Sequence, residues 1–204
     1  MVKIKCILFD IGGVLVDWHM SWITAEVSKR FDINENMLIS AFDKHLPKLD
    51  SGKIDESNFW NNIGIDTDSD LLKNNKESLW NTYFRKNAIP NHDVKKLSMD
   101  LKKNGFDIGI ISNIEKITHT VVEDWDMLSH FKHKFMSYQI GFSKPDPRIY
   151  EHVIQKLPYT EDELLFIDDK LPNVESAKNS GMSSIHFINL ENLKSSLNEF
   201  EVVI

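Results

Sequence analysis

Asp10 closes a short apolar run, Cys6 to Phe9, and is followed by Ile11, Gly12 and Gly13. Two other apolar runs end in polar residues in the same way. Phe106 to Ile111 leads into Ser112 and Asn113, and Leu164 to Ile167 leads into Asp168 and Asp169. Lys144 stands between Ser143 and Pro145, just ahead of a helical pattern. If these segments end on one rim, three carboxylates, a hydroxyl, an amide and an ammonium converge there. Carboxylates that close repel one another by several kcal/mol at intermediate dielectric. A hard divalent cation with oxygen ligands removes the conflict, and magnesium also partners phosphate oxygens. Amides at a helix N-terminus after Ser112 suit a phosphate, and Lys144 supplies countercharge. One carboxylate is then left to attack as a nucleophile, since aspartate can form an aspartyl-phosphate.

The elements that must position these residues are legible in the pattern. Ile4 to Phe9, Phe106 to Ile111, Leu164 to Ile167 and Ser183 to Phe187 are short and nearly continuous apolar runs. That is the signature of strands covered on both faces of a parallel sheet. A weaker strand is expected near Lys134 to Met136. Helices fall between them: Val94, Leu97 and Leu101 form a stripe ending near Gly105, and Pro147 opens a helix through Leu157. Thr160 and Glu163 have capping-box spacing, and Asn173 to Ser180 reads as a further helix. The fold class is therefore α/β, a doubly wound parallel sheet with a Rossmann-like core. From about Trp18 to Asn91 the apolar spacing is helical throughout, giving about four helices inserted after the first strand. Residues 1–17 and 92–204 are expected to form the core, and 18–91 a helical cap.

Phe9-Asp10-Ile11-Gly12-Gly13-Val14-Leu15, Ile111-Ser112-Asn113, Gly141-Phe142-Ser143-Lys144-Pro145 and Phe166-Ile167-Asp168-Asp169 occur in this order at strand ends. Together they resemble the haloacid-dehalogenase-like hydrolases that carry a helical cap after the first strand, and the resemblance covers nearly the whole chain. It implies that Asp10 is the nucleophile and a metal ligand, and that Ser112 holds the transferring phosphoryl group with Asn113 and Gly13 beside it. Lys144 would stabilise the charge on nucleophile and phosphate. Magnesium would be bound by Asp10, by the Gly12 carbonyl, by Asp169 directly and by Asp168 directly or through water.

One position breaks that pattern. Family phosphatases usually carry a second aspartate two residues after the nucleophile to move protons, and here that residue is Gly12. General acid–base help is worth about 10²–10⁴ in rate. Its loss matters least for leaving groups that depart readily as anions, so a sugar 1-phosphate is the leading expectation for the substrate. Asp17 and His19 lie nearby as substitutes, and an aspartate restored at position 12 is expected to raise activity on simple alkyl phosphates. Two alternatives remain open: a weakly catalytic phosphosugar-binding protein, and a cofactor-free haloacid dehalogenase, which needs a cap arginine, either Arg30 or Arg85. A receiver domain fits poorly, since its acidic pair sits on the first strand and it lacks a cap.

The bulk properties agree. A formal net charge of -7 over 204 residues argues against nucleic acid or an anionic membrane as partner. Cys6 is the single cysteine, which fits a reducing compartment. The first apolar run is too short for a signal peptide, so a cytoplasmic location is expected. Trp18 and Trp22, one helical turn apart, either wall the pocket or pack the cap. His45 to Gly52 is a candidate loop over the site. His130 and His133 have ligand-like spacing without a third partner. The oligomeric state is not encoded in any of these features.

Overall fold

The computed structural model describes residues 3–203. Strands β1 (Cys6–Phe9), β4 (Asp107–Ser112), β5 (His133–Met136), β6 (Leu164–Asp168) and β7 (Ser183–His186) form one sheet in the order β5-β4-β1-β6-β7. Every neighbouring pair is parallel, with Leu8 in register with Gly109 on one side and Phe166 on the other. The side chains of β1 are fully buried, as the uninterrupted apolar run requires. Because β1 is central, Asp10 emerges in the middle of the C-terminal rim, where open α/β sheets bind ligands. Gly109 permits the close pairing: a β-carbon there would press on Leu8 and His133.

The helices packed around the sheet are α6 (His92–Lys103), α7 (Lys116–Asp124), α8 (Ser137–Ile140), α9 (Pro147–Lys156), α10 (Leu171–Asn179) and α11 (Leu190–Glu199). Local chemistry sets their ends. Asn91 caps α6 by accepting from Val94 N, and Pro147 occupies the first turn of α9 behind the Asp146 cap. The Thr160–Glu163 box closes a single 3₁₀ turn before β6. The expected weak strand is the edge strand β5. After α11 the described residues contain no terminal strand.

Between β1 and α6 the chain forms five helices rather than four: α1 (Met20–Phe31), α2 (Glu35–Asp50), α3 (Glu56–Asp66), the single turn α4 (Asp70–Lys73) and α5 (Leu79–Asn87). They are entered and left through an antiparallel ribbon that the helical periodicity concealed, β2 (Val16–Asp17) against β3 (Ile89–Pro90). Phe42, Phe59, Trp60 and Trp80 make an aromatic cluster inside this layer, with ring centroids 5.0–6.2 Å apart. Glu56 ties it together, accepting from Trp60 Nε1 at 2.9 Å and from Trp80 N at 2.8 Å. His45 is not in a loop. It is buried within α2 and paired with Asp66 at 2.7 Å, so only the few residues after Asp50 connect α2 to α3.

Candidate active site

Asp10, Ser112, Lys144, Asp168 and Asp169 meet at the C-terminal rim. Lys144 is brought there by the segment between α8 and α9, and its ammonium is buried against three acceptors. These are the Ile111 carbonyl at 2.9 Å, Asp168 Oδ2 at 2.6 Å and Asp10 Oδ1 at 2.9 Å. An ammonium has three protons to donate, so its geometry is fully specified. Burial alone would lower its pKa, but the two carboxylates outweigh that and hold it above the ordinary lysine value.

Asp10 is nearly inaccessible. Its Oδ1 also accepts from Ile11 N at 2.7 Å. Burial pushes its pKa up to about 6; Lys144 pulls down, Asp168 pushes up, and the Ser112 hydroxyl adds a small downward pull. Asp168, with no exposed surface, is satisfied by Lys144, by Asn173 Nδ2 at 3.0 and 3.1 Å, and by Lys170 N at 2.8 Å. Asp169 is different. Its Oδ1 is buried and has no hydrogen-bond partner among the described residues. Burial and the adjacent Asp168 charge raise its pKa. Gly13, at φ +76°, lies against that carboxylate so closely that any β-carbon would collide with it.

One oxygen each from Asp10, Asp168 and Asp169 lies within 4.8 Å of the others. With Lys144 charged, these groups leave two negative charges uncompensated. An orphaned buried oxygen beside them is what a hard dication satisfies, and the residues fit such an ion. Among the described residues no backbone N–H donates to the Gly12 carbonyl, which remains able to contribute.

The amide of Asn113 is engaged with the backbone of Lys144, accepting from its N–H and donating to its carbonyl, both at 2.7 Å. It therefore orients the lysine. The helix expected after Ser112 is present. Helix α7 opens at Lys116, and its N-terminus is already capped by the Glu115 carboxylate, which accepts from Thr118 N at 2.6 Å. The Thr118 amide is thereby taken up by Glu115.

A cleft of about 310 Å³ opens above these groups, between the sheet rim and the inserted helices. Trp18, Trp80, Phe84 and Leu46 form its apolar wall, while Asp50, Glu115, Thr118 and His19 add polar groups. Trp18 thus faces the cleft, whereas Trp22 packs away from it against the His19 ring. Asp17 does not line the cleft, and its side chain is 59% exposed. Arg30 pairs with Glu77 and Arg85 with Asp124, both away from the cleft. His130 bonds Ser98 and His133 approaches Asp107, so they do not share a ligand. Cys6 is buried and its thiol pushed up to about 12, as befits a strand residue. The segment His45 to Gly52, expected over the site, brings Leu46 and Asp50 to the cleft as the end of a helix rather than as a loop, whereas Glu115 reaches it only through tertiary packing.

A profile of haloacid dehalogenase-like hydrolases matches residues 4–181. The chain belongs to this family. A D-ribitol-5-phosphate phosphatase of Bacteroides thetaiotaomicron is 24% identical over 196 residues, covering 89% of this chain and 90% of its own. A sesquiterpene phosphatase of Aspergillus oryzae is 28% identical over 188 residues, 89% of each chain. Among solved structures, a HAD-family enzyme of Bacteroides thetaiotaomicron in complex with magnesium and inorganic phosphate superimposes with a TM-score of 0.71 at 22% identity, over 94% of this chain and 99% of that one. A predicted HAD-like hydrolase from Porphyromonas gingivalis gives 0.77 at 19% identity, over 98% of both. The parallel sheet with its helical insertion is thus the fold of this hydrolase family. No helix of the described residues is long and apolar enough to cross a membrane.

Proposed function

We propose that the chain is a magnesium-dependent phosphomonoester hydrolase acting on a small phosphorylated metabolite, a sugar 1-phosphate being the leading class. The observation that carries this reading is the meeting of Asp10, Asp168 and Asp169, the first two paired with Lys144 and the Asp169 Oδ1 atom left without a partner among the described residues. The phosphatase relatives and the magnesium–phosphate complex of a structural neighbour support it. Asp10, Asp168, Asp169 and the Gly12 carbonyl would hold the ion. Magnesium bound there would neutralise the excess charge and polarise a phosphoryl oxygen.

The remaining work belongs to the chain. Ile11 N and Lys144 both engage Asp10 Oδ1, which leaves Oδ2 as the attacking atom. Lys144, fixed by Asn113 and Asp168, stabilises charge as the Asp10–phosphorus bond forms. The Ser112 hydroxyl and the backbone beside Gly13 and Asn113 cradle the transferring group. Water then cleaves the aspartyl-phosphate. Because Gly12 cannot protonate the departing oxygen, esters with good leaving groups are favoured, which is the basis for the sugar 1-phosphate. A cap arginine that would hold halide does not face the cleft, so the dehalogenase alternative loses its support.

Phosphate release from a panel of phosphorylated metabolites, with magnesium and with chelator, tests the reading. Magnesium-dependent release that Asp10→Asn abolishes is the expected result. Tight ligand binding without turnover on any substrate would instead identify a binding protein.

A further inference from the structure

A phosphatase without a carboxylate at position 12 still has to move protons, and Asp17 is exposed away from the cleft. The last residue of α2, Asp50, faces the reacting centre from the inserted helices. Its backbone is pinned to the sheet domain: Ser137 Oγ donates to the Asp50 carbonyl at 2.5 Å. Two residues on, Gly52 at φ +67° lies flat against the Tyr138 carbonyl, where no side chain fits. These contacts hold the end of α2 over the site. Among the described residues no donor reaches either carboxylate oxygen of Asp50. The charged groups facing it are Asp10, Lys144, Lys170 and Glu115.

We propose that Asp50 is the proton donor and acceptor of the phosphatase cycle, in the role that Gly12 cannot fill. This rests on the phosphatase reading above. As Asp10 Oδ2 bonds to phosphorus and the ester P–O bond breaks, the Asp50 carboxyl gives its proton to the departing oxygen and becomes a carboxylate. It then takes a proton from the water that attacks phosphorus from the face the alcohol has vacated. The Asp10–phosphorus bond breaks, phosphate leaves, and Asp50 is protonated again. Asp50 enters the cleft from the inserted helices and Asp10 from the sheet rim, so a phosphoryl group bound between them would meet the two carboxyl groups from different walls. Burial, opposed by Lys170 and reinforced by Asp10, pushes its pKa up to about 7, the range where one group serves as acid and base. The substrate class then extends from activated esters to ordinary alkyl phosphates.

The test uses the full chain with magnesium, as wild type, Asp50→Asn and Asp50→Glu. Each is assayed on an alkyl phosphate and on p-nitrophenyl phosphate, whose leaving group needs no proton. For Asp50→Asn, kcat on the alkyl ester should fall by about 10²–10⁴. On p-nitrophenyl phosphate it should give a burst of one equivalent of nitrophenolate and then turn over slowly. Asp50→Glu should recover part of both rates. Unchanged binding of inorganic phosphate with magnesium shows that the site has survived the substitution. Rates within threefold of wild type, equal losses on both esters without a burst, or lost phosphate binding would each overturn the role of Asp50. A wild type inactive on every phosphate ester would instead overturn the phosphatase reading itself, and the role of Asp50 with it.

Discussion

Trp18 occupies the space that a side chain at position 12 needs: a β-carbon on Gly12 would lie 2.8 Å from the indole Nε1. The indole also packs edge-on against Trp80 and Phe84, at 6.2 and 5.5 Å. Restoring an aspartate is therefore not the simple gain that the sequence suggests. Gly12→Asp alone should lower kcat/KM on alkyl phosphates, by about tenfold if the strained indole costs ~1.4 kcal/mol. Gly12→Asp combined with Trp18→Ala should exceed the single variant. A single variant that outperforms wild type would show that the indole yields freely.

Lys144 carries the one positive charge shared by Asp10 and Asp168, and all three side chains are buried. Lys144→Met should destabilise the chain by about 3–5 kcal/mol, because Asp10 and Asp168 are left buried without their partner. Part of that loss should return on adding magnesium, since a cation that binds the folded state alone stabilises it. Urea denaturation with and without the ion checks both points.

Gly13 combines a left-handed backbone with contact against Asp169. Gly13→Ala adds strain and drives a methyl group into that carboxylate. Magnesium affinity should drop by tenfold or more, read by isothermal titration. Unaltered affinity would mean that Asp169 is not required to hold the ion.

Glu115 offers a pH test that needs no substrate. Burial pushes its pKa up to about 8, against the opposing hydrogen bonds from Thr118. A carboxyl raised on folding binds its proton more tightly in the native state. Its contribution is complete below the unfolded value near 4.5 and is lost as pH rises through about 8. Stability should fall across that window with a slope of up to about 1.4 kcal/mol per pH unit. Glu115→Gln should flatten the slope, measured by urea unfolding from pH 5 to 9. An identical slope in the variant would remove Glu115 as its source.

The sheet was legible because each strand is a local apolar run whose length and neighbours suffice to define it. β1, β6 and β7 fall where the pattern puts them, and Asp10, Lys144, Asp168 and Asp169 follow because strand ends share one rim. The β2–β3 ribbon is not legible in the pattern, since two-residue strands carry no periodicity. The hold of Asn113 on the Lys144 backbone is not legible locally, because the two lie 31 residues apart. Likewise, the position of Asp50 depends on Ser137, 87 residues on. Glu115 and Thr118 reach the cleft through a chain of bonds begun by Trp80 Nε1, which donates to Thr118 Oγ1 at 2.6 Å. Nothing in the spacing of these residues announces such contacts.

The ribbon has a consequence for how this chain can change. Val16 is paired with Pro90, and Leu15 O accepts from Asn91 N at 2.9 Å, so the polypeptide departs and returns at neighbouring points. Doubling the length of what is carried between them costs the closure entropy only about 0.6 kcal/mol. The helical layer is therefore a transplantable part. It can be lengthened or re-sculpted to admit a different alcohol, provided that the end of α2 with Asp50 is kept over the rim.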